Sequence, residues 1–235
     1  MIPYYNPRPL SSGLIFINMA TYRSFYSELT EDYPMGWNKE DFEAITSFTG
    51  KLKYATTHLP KIASGSGRVV FKVDDTKVIK IAKNKKGLAQ NAVESEKFLQ
   101  HYDVVARTFD NDEHYFKDIG PFWVEMELAH KTTKPRFKKL TGVSMDDLDR
   151  YLRWRRSLHK QTLSMGISAA VLDTMRNNEF VEKLERLISD YDMGVGDMGR
   201  VSTYGEVLRN GHPTIVLVDF GLTEQVYNDF YRVNV

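Results

Sequence analysis

Cysteine is absent from all 235 residues. With it go disulfides, thiolate zinc sites and thiol nucleophiles, and the absence suits a reducing, cytoplasmic setting. Long apolar runs are missing too: none approaches the ~20 residues that a membrane-spanning helix needs. Gly13 to Ala20 (G-L-I-F-I-N-M-A) comes nearest to a signal-peptide core. It is short, contains Asn18 and follows a stretch with little positive charge, so it does not read as one. Excess charge of one sign is also lacking. With 32 basic and 31 acidic residues the net charge is +1, which gives no electrostatic case for nucleic acid or a membrane as the main partner. The 6 histidines are scattered without metal-ligand spacing. No G-x-S-x-G elbow, no G-x-x-x-x-G-K-[ST] loop and no internal repeat is present.

What is there can bury a sizeable core, as one large domain or two small ones. Residues 1–18, rich in Pro and Tyr, read as a poorly ordered extension, with Met19-Ala20 a plausible alternative translation start. Asn38 to Phe48 carries a cap residue and Phe42, Ile45 and Phe48 at helical spacing. Leu59 to Ala63, Val69 to Val73 and Val78 to Ala82 read as strands, the last two joined as a hairpin across Asp74-Asp75-Thr76. Leu88 to Gln100 reads as a helix, and Val104 to Phe109 and Phe122 to Leu128 as two more strands. Lys131 to Lys139, with Pro135, reads as a basic linker. Helices are expected over about Ser144 to Lys160 and Glu179 to Asp190. Tyr204 to Leu208 and Thr214 to Val218 flank Asn210-Gly211, the signature of a type I′ hairpin.

Chemistry concentrates in five places. Gly65-Ser66-Gly67 stands between two strands, where residues without side chains let backbone N–H groups approach a phosphate; taken alone, the pair reads rather as an ordinary turn. Lys80 interrupts the apolar strand Val78-Ile79-Lys80-Ile81, and a buried ammonium requires a partner. Glu94 on the following helix offers that carboxylate, with Glu96 as the alternative, since helical residues two apart face different ways. Asp197 lies in the loop Gly196-Asp197-Met198-Gly199-Arg200, with Asp192 as its rival. Asp219 directly follows four apolar residues and precedes Phe220-Gly221, which suits a metal ligand at a strand end better than a strand interior.

Glycine turn, strand lysine, helix glutamate, loop aspartate and D-F-G aspartate occur here in the order of the protein-kinase set, and the chain resembles the protein-kinase-like superfamily. Gln90-Asn91-x-x-Glu94 and the run Gly-Asp-x-Gly-Arg-x-Ser-x-Tyr-Gly ending at Gly205 are most similar to compact kinase-like proteins of bacteriophage genomes. The resemblance implies an α+β fold. A five-stranded antiparallel N-lobe with one helix (59–129) would pack on a reduced, mainly helical C-lobe carrying a β-hairpin (130–235), behind an N-terminal extension with a helix (1–58). It implies ATP and Mg²⁺ as cofactors, with Gly65, Ser66, Gly67, Lys80 and Glu94 at the phosphates. Met126 would be the gatekeeper, and the Glu127 to Ala129 backbone would meet the adenine edge. Asp197 would act on the nucleophile, Arg200 would neutralise the transferred group, and Asp219 and Ser202 would hold the metal.

Departures from the family pattern are as informative. Val70 replaces the third glycine, Gly196 stands where an arginine usually precedes the loop aspartate, and Ser202 replaces an asparagine. Only Leu222 to Val235 follow the D-F-G, too few for the peptide-binding helices of an ordinary protein kinase. The expected function is an ATP-dependent phosphotransferase acting on an unidentified protein or small molecule. The alternative is a nucleotide-binding pseudokinase that regulates a partner, and adenylyl transfer is a third possibility.

Overall fold

A computed structural model describes residues 36–112, 115–116, 118–159 and 166–232. The expected extension at 1–18, the final residue of the expected helix at Lys160, and Val233 to Val235 lie outside the described residues.

The chain is mixed α/β, and its centre is a five-stranded antiparallel sheet. The strands are β1 (Lys61–Ser64), β2 (Arg68–Lys72), β3 (Lys77–Ala82), β4 (Thr108–Asn111) and β7 (Trp123–Glu127), in the order β1-β2-β3-β7-β4. Short strands β5 (Tyr115–Phe116) and β6 (Gly120–Pro121) pair with each other beside it. A second sheet pairs β8 (His130–Lys131) with β9 (Tyr204–Arg209), and β9 with β10 (His212–Leu217). Between β9 and β10 both turn residues have positive φ, Asn210 at 52° and Gly211 at 77°, the geometry a type I′ turn demands.

Two apolar clusters hold these elements. Phe71, Ile79, Ile81, Leu88 and Trp123 pack under Phe42 and Ala55 of the helices that precede β1. The other face of the sheet, through Val78, Val124 and Met126, joins a larger cluster built from the later helices and β9-β10. Each such side chain, fully buried, contributes roughly 1.5–3 kcal/mol of transfer free energy. The sheet is tied to the hairpin by backbone as well: Leu217 N–H donates to Val104 O (2.7 Å) and Ala106 N–H to Leu217 O (2.9 Å).

Several elements differ from the sequence expectation. The helix expected from Asn38 to Phe48 is two helices, α1 (Lys39–Ala44) and α2 (Phe48–His58). Asn38 caps the first through Asp41 N–H (2.8 Å), but Ser47 caps a second start through Gly50 N–H (3.1 Å), and Ile45 turns extended between them. Lys51 closes the junction by donating from Nζ to Phe42 O (3.0 Å) and Glu43 O (3.1 Å) at the end of α1, the first of which also accepts Ile45 N–H (3.3 Å). The expected helix from Leu88 to Gln100 is α3 (Lys85–Glu94), capped by Asn84, followed by a separate 3₁₀ turn at Lys97–His101. The strand expected over Val104 to Phe109 begins only at Thr108, because Val104 to Ala106 pair with Leu217 instead. The supposed basic linker is α4 (Lys134–Thr141): Thr133 caps it, and Pro135 falls in the first turn, where a missing N–H does no harm. α5 (Met145–His159) starts after Ser144, whose Oγ accepts from Asp147 N–H (3.1 Å). α7 (Glu179–Tyr191) buries Val181, Leu184 and Leu187 on one stripe. Two further helices, α6 (Ala169–Arg176) and α8 (Glu224–Phe230), lie outside every expected element. No helix among the described residues is long and apolar enough to cross a membrane.

Candidate functional site

A cleft of about 590 Å³ opens between the β1-β2 turn, β3, β7 and the β9-β10 hairpin. Gly65, Ser66, Gly67, Lys80, Met126, Glu127, Ser202 and Asp219 all line it. Among the described residues there are also larger depressions, of about 770 Å³ around Phe98 and Tyr102 and of about 910 Å³ around Tyr151 and Trp154. Neither borders the buried charges described next, so chemistry rather than size selects the smaller cleft.

At its back Lys80 Nζ donates to Glu94 Oε2 at 2.8 Å and to Val218 O at 2.6 Å. Both side chains are buried, with Glu94 fully enclosed. Glu96 is exposed on the turn after α3. Glu94 also receives Arg68 as a two-pronged partner, Nη1 to Oε2 at 2.7 Å and Nη2 to Oε1 at 3.0 Å. It then accepts the N–H groups of Phe220 and Gly221, each at 3.2 Å. One carboxylate thus fixes β3, the start of β2 and the segment after β10 together.

The charges respond accordingly. Burial raises the Glu94 pKa, but Arg68 and Lys80 outweigh it and hold the carboxyl below its ordinary value. Burial dominates at Lys80, with Arg68 adding to it, so the ammonium pKa falls despite Glu94. Burial also works against Arg68, yet Glu94 and Asp219 more than offset it and keep the guanidinium firmly charged.

Arg68 is the residue the sequence reading missed. Its Nη2 also meets Asp219 Oδ1 at 2.5 Å, and Asn91 Oδ1 lies 3.4 Å from Nη1. The available signal was an arginine at the first position of a strand whose neighbours Val69 and Phe71 are core. Asp219 itself is at the cleft surface, with 60% of its side chain exposed.

The two turn glycines differ. A Cβ at Gly65 would meet open space, whereas one at Gly67 would lie 2.8 Å from Gln90 Oε1 and 3.2 Å from Gly87 N. Gly67 therefore serves close packing on α3, and Gly65 faces the cleft. The turn is braced by Lys83, which donates to Gly65 O, by Asn84 Nδ2 to Ser66 O (3.0 Å), and by Lys86 Nζ to Ser66 Oγ (2.8 Å).

Along β7 the backbone donors are partly committed. Glu127 N–H donates to Arg107 O (2.8 Å) and Leu128 N–H to Thr76 O (2.6 Å). The Glu127 carboxylate pairs with Arg209 at 2.7 Å, turning it to the hairpin.

The loop before β9 is pinned rather than free. Thr203 Oγ1 donates to Asp197 O (2.7 Å), and buried Tyr204 donates from its hydroxyl to Met198 O (2.9 Å). Burial raises the Tyr204 pKa, so the phenol stays a donor. Asp197 and Arg200 are exposed, pair with each other at 3.1 Å, and are not among the residues lining the cleft. Asp192 caps α7 in the left-handed conformation and accepts Glu224 N–H (2.8 Å).

Among the described residues no group of three or more His, Asp or Glu is placed to hold a metal ion. Asp219 and Ser202 nevertheless put hard oxygens in one cleft, and Mg²⁺ takes only one or two protein carboxylates when phosphate oxygens and water complete its shell.

No protein-family model matches the chain, and no curated protein matches it. Among solved structures, the GDP and kanamycin complex of APH(2")-IIia is 12% identical, covering 86% of this chain and 72% of its own, with a TM-score of 0.36. SAICAR-synthase from Saccharomyces cerevisiae, complexed with SAICAR, is 14% identical over 69% and 73%, with a TM-score of 0.34. The streptomycin–ATP ternary complex of APH(2")-IIa is 14% identical over 75% and 72%, at 0.28.

Proposed function

We propose that the cleft binds ATP with Mg²⁺ and that the protein is an ATP-dependent phosphotransferase, a minimal relative of the kinases in its motif order. The observation that carries this reading is the enclosed Lys80–Glu94 pair at 2.8 Å, set behind Asp219 in the cleft that Gly65 faces. In this reading residues 59–129 are the upper lobe, 130–235 the lower lobe and 1–58 an extension. In this reading the protein works in the cytoplasm, that of the host if it is phage-encoded.

Each residue then has a task. Lys80, oriented by Glu94, neutralises phosphate charge, and the backbone around Gly65 and Ser66 covers the phosphate chain. Met126, buried at the end of β7, limits the depth of the adenine pocket. Because the Glu127 and Leu128 N–H groups are taken, the adenine edge would use Ala129 as its donor. Asp219 and Ser202 would hold Mg²⁺, which supplies charge neutralisation at the phosphates. In transfer, the bond from the γ-phosphorus to the β–γ bridging oxygen breaks as a bond to the acceptor hydroxyl oxygen forms. Asp197 takes the hydroxyl proton, and Arg200 stands next to it for the transferred group.

A second reading has its own observation. Asp197 and Arg200 satisfy each other outside the cleft lining, and Arg68 occupies Asp219. Both suit a nucleotide-binding pseudokinase whose nucleotide state changes its affinity for a partner.

Incubation with γ-labelled and with α-labelled ATP separates the readings. Phosphotransfer puts the γ label on the protein or on an added acceptor, and adenylyl transfer puts the α label there. A pseudokinase binds ATP and transfers neither label. Failure to bind any purine nucleotide overturns the assignment.

A further inference from the structure

Arg68 sits where no motif asks for an arginine. Its guanidinium is buried, yet it borders the cleft at the glycine turn. Glu94 grips it from behind through both Nη atoms, at 2.7 and 3.0 Å, and this leaves the second N–H of Nη2 for Asp219 Oδ1 at 2.5 Å. The planar fork is thus anchored on one side and presents a charged donor on the other, at the exposed carboxylate of Asp219.

Arg68 engages Oδ1 of Asp219, and a metal on the same carboxylate would repel the guanidinium and weaken that contact. The charges of Arg68, Lys80, Glu94 and Asp219 sum to zero, so while Arg68 pairs with Asp219 these four groups together offer a triphosphate no net positive charge. Lys83 and Lys86 stand on the rim of the same turn, on Gly65 O and Ser66 Oγ.

We propose that Arg68 is a phosphate-binding residue of this cleft, exchanging the Asp219 carboxylate for an oxygen of the nucleotide's phosphate chain while Glu94 keeps its grip. The proposal rests on the nucleotide reading above and deepens it. It gives the site a protein cation besides Lys80, so part of the affinity for a triphosphate is independent of any divalent ion.

The test is calorimetric titration of adenosine and of ATP, each with Mg²⁺ and with EDTA, into wild type, Arg68→Gln and Arg68→Lys. In EDTA, wild type should prefer ATP to adenosine. Arg68→Gln should lose about ten- to hundredfold in ATP affinity, the range of one charge-assisted hydrogen bond. Its adenosine affinity should be unchanged, which also shows that it is folded. Arg68→Lys, which keeps the charge without the fork, should fall between the two. If Arg68→Gln does not fold, the wild-type preference in EDTA and its reduction in Arg68→Lys decide the matter. Equal losses for adenosine and ATP, or ATP affinity in EDTA unmoved by either substitution, make Arg68 a structural counter-ion only and overturn the proposal. Wild type that binds neither adenosine nor ATP under any condition overturns the nucleotide reading, and the proposal with it.

Discussion

Lys80 reaches Glu94 at 2.8 Å from the middle of a central strand, and its second donor goes to Val218 O, the residue before Asp219. Because Glu94 is shared with Arg68, the pair is asymmetric. Lys80→Met leaves Glu94 with a guanidinium partner, whereas Glu94→Gln takes the carboxylate from Lys80 and leaves Arg68 only Asp219. Glu94→Gln should therefore destabilise more, by about 3–5 kcal/mol, as broken buried pairs do. Chemical denaturation should show that order, with the double variant far from additive. Glu96→Gln, on an exposed residue, should leave stability and nucleotide affinity unchanged.

The acid limb of stability follows from the same carboxylate. Glu94 is held below its ordinary value of 4.5 in the folded protein, so the unfolded chain takes up the proton first as pH falls. The stabilisation is complete above about that value and is lost as pH falls through the lower, folded pKa. Melting temperature measured from neutral pH downward should fall more steeply in wild type than in Glu94→Gln. Parallel acid limbs would remove Glu94 from the account.

Ligand binding should register as heat stability. ATP with Mg²⁺ at about a hundred times its dissociation constant should add ~2.7 kcal/mol and raise the melting temperature accordingly. Asp219→Asn should shrink the Mg²⁺-dependent part of that shift, because it removes a carboxylate oxygen from the cleft. A full shift in Asp219→Asn would place the metal elsewhere.

Asp197 and Asp219 should separate chemistry from binding. If phosphate is transferred, Asp197→Asn should bind nucleotide as wild type does and turn over about 10²–10⁴-fold more slowly, the usual weight of a positioned acid–base group. Asp192→Asn, at a left-handed helix cap that asparagine also suits and whose bonds are made by backbone, should leave stability and rate intact. The reverse outcome would exchange their roles.

The glycines make a steric prediction. A Cβ at Gly87 would fall 2.2 Å from Gly67 O and 3.1 Å from Ala82 Cα, both backbone. Gly87→Ala should destabilise by about 1–3 kcal/mol, as overpacking does. Gly65→Ala, with open space around it, should unfold at the same denaturant concentration as wild type.

Much of the sheet was legible because each strand carries its own short-range signal. Val78 to Ala82 is a short β-prone run buried on both faces, and Asn210-Gly211 names its own turn. Helix ends were less legible, because capping is decided by which polar side chain reaches a backbone N–H. Asn38 and Ser47 are both good caps, and only the turn at Ile45 shows that both are used. The strand expected at Val104 failed for a different reason: its backbone pairs with Leu217, more than a hundred residues away.

At the cleft, the sequence alone determined the candidates. Lys80 inside an apolar strand, Glu94 on the next helix and Asp219 at a strand end each announce a charge that must find a partner. Tertiary structure alone decided the partners. It joined Glu94 rather than Glu96 to Lys80, turned Asp197 toward Arg200, and brought Arg68 across 151 positions to Asp219. The physical reason is that a buried charge fixes only the need for an opposite charge. Which one supplies it depends on the distances set when the sheet, α3 and the hairpin pack together.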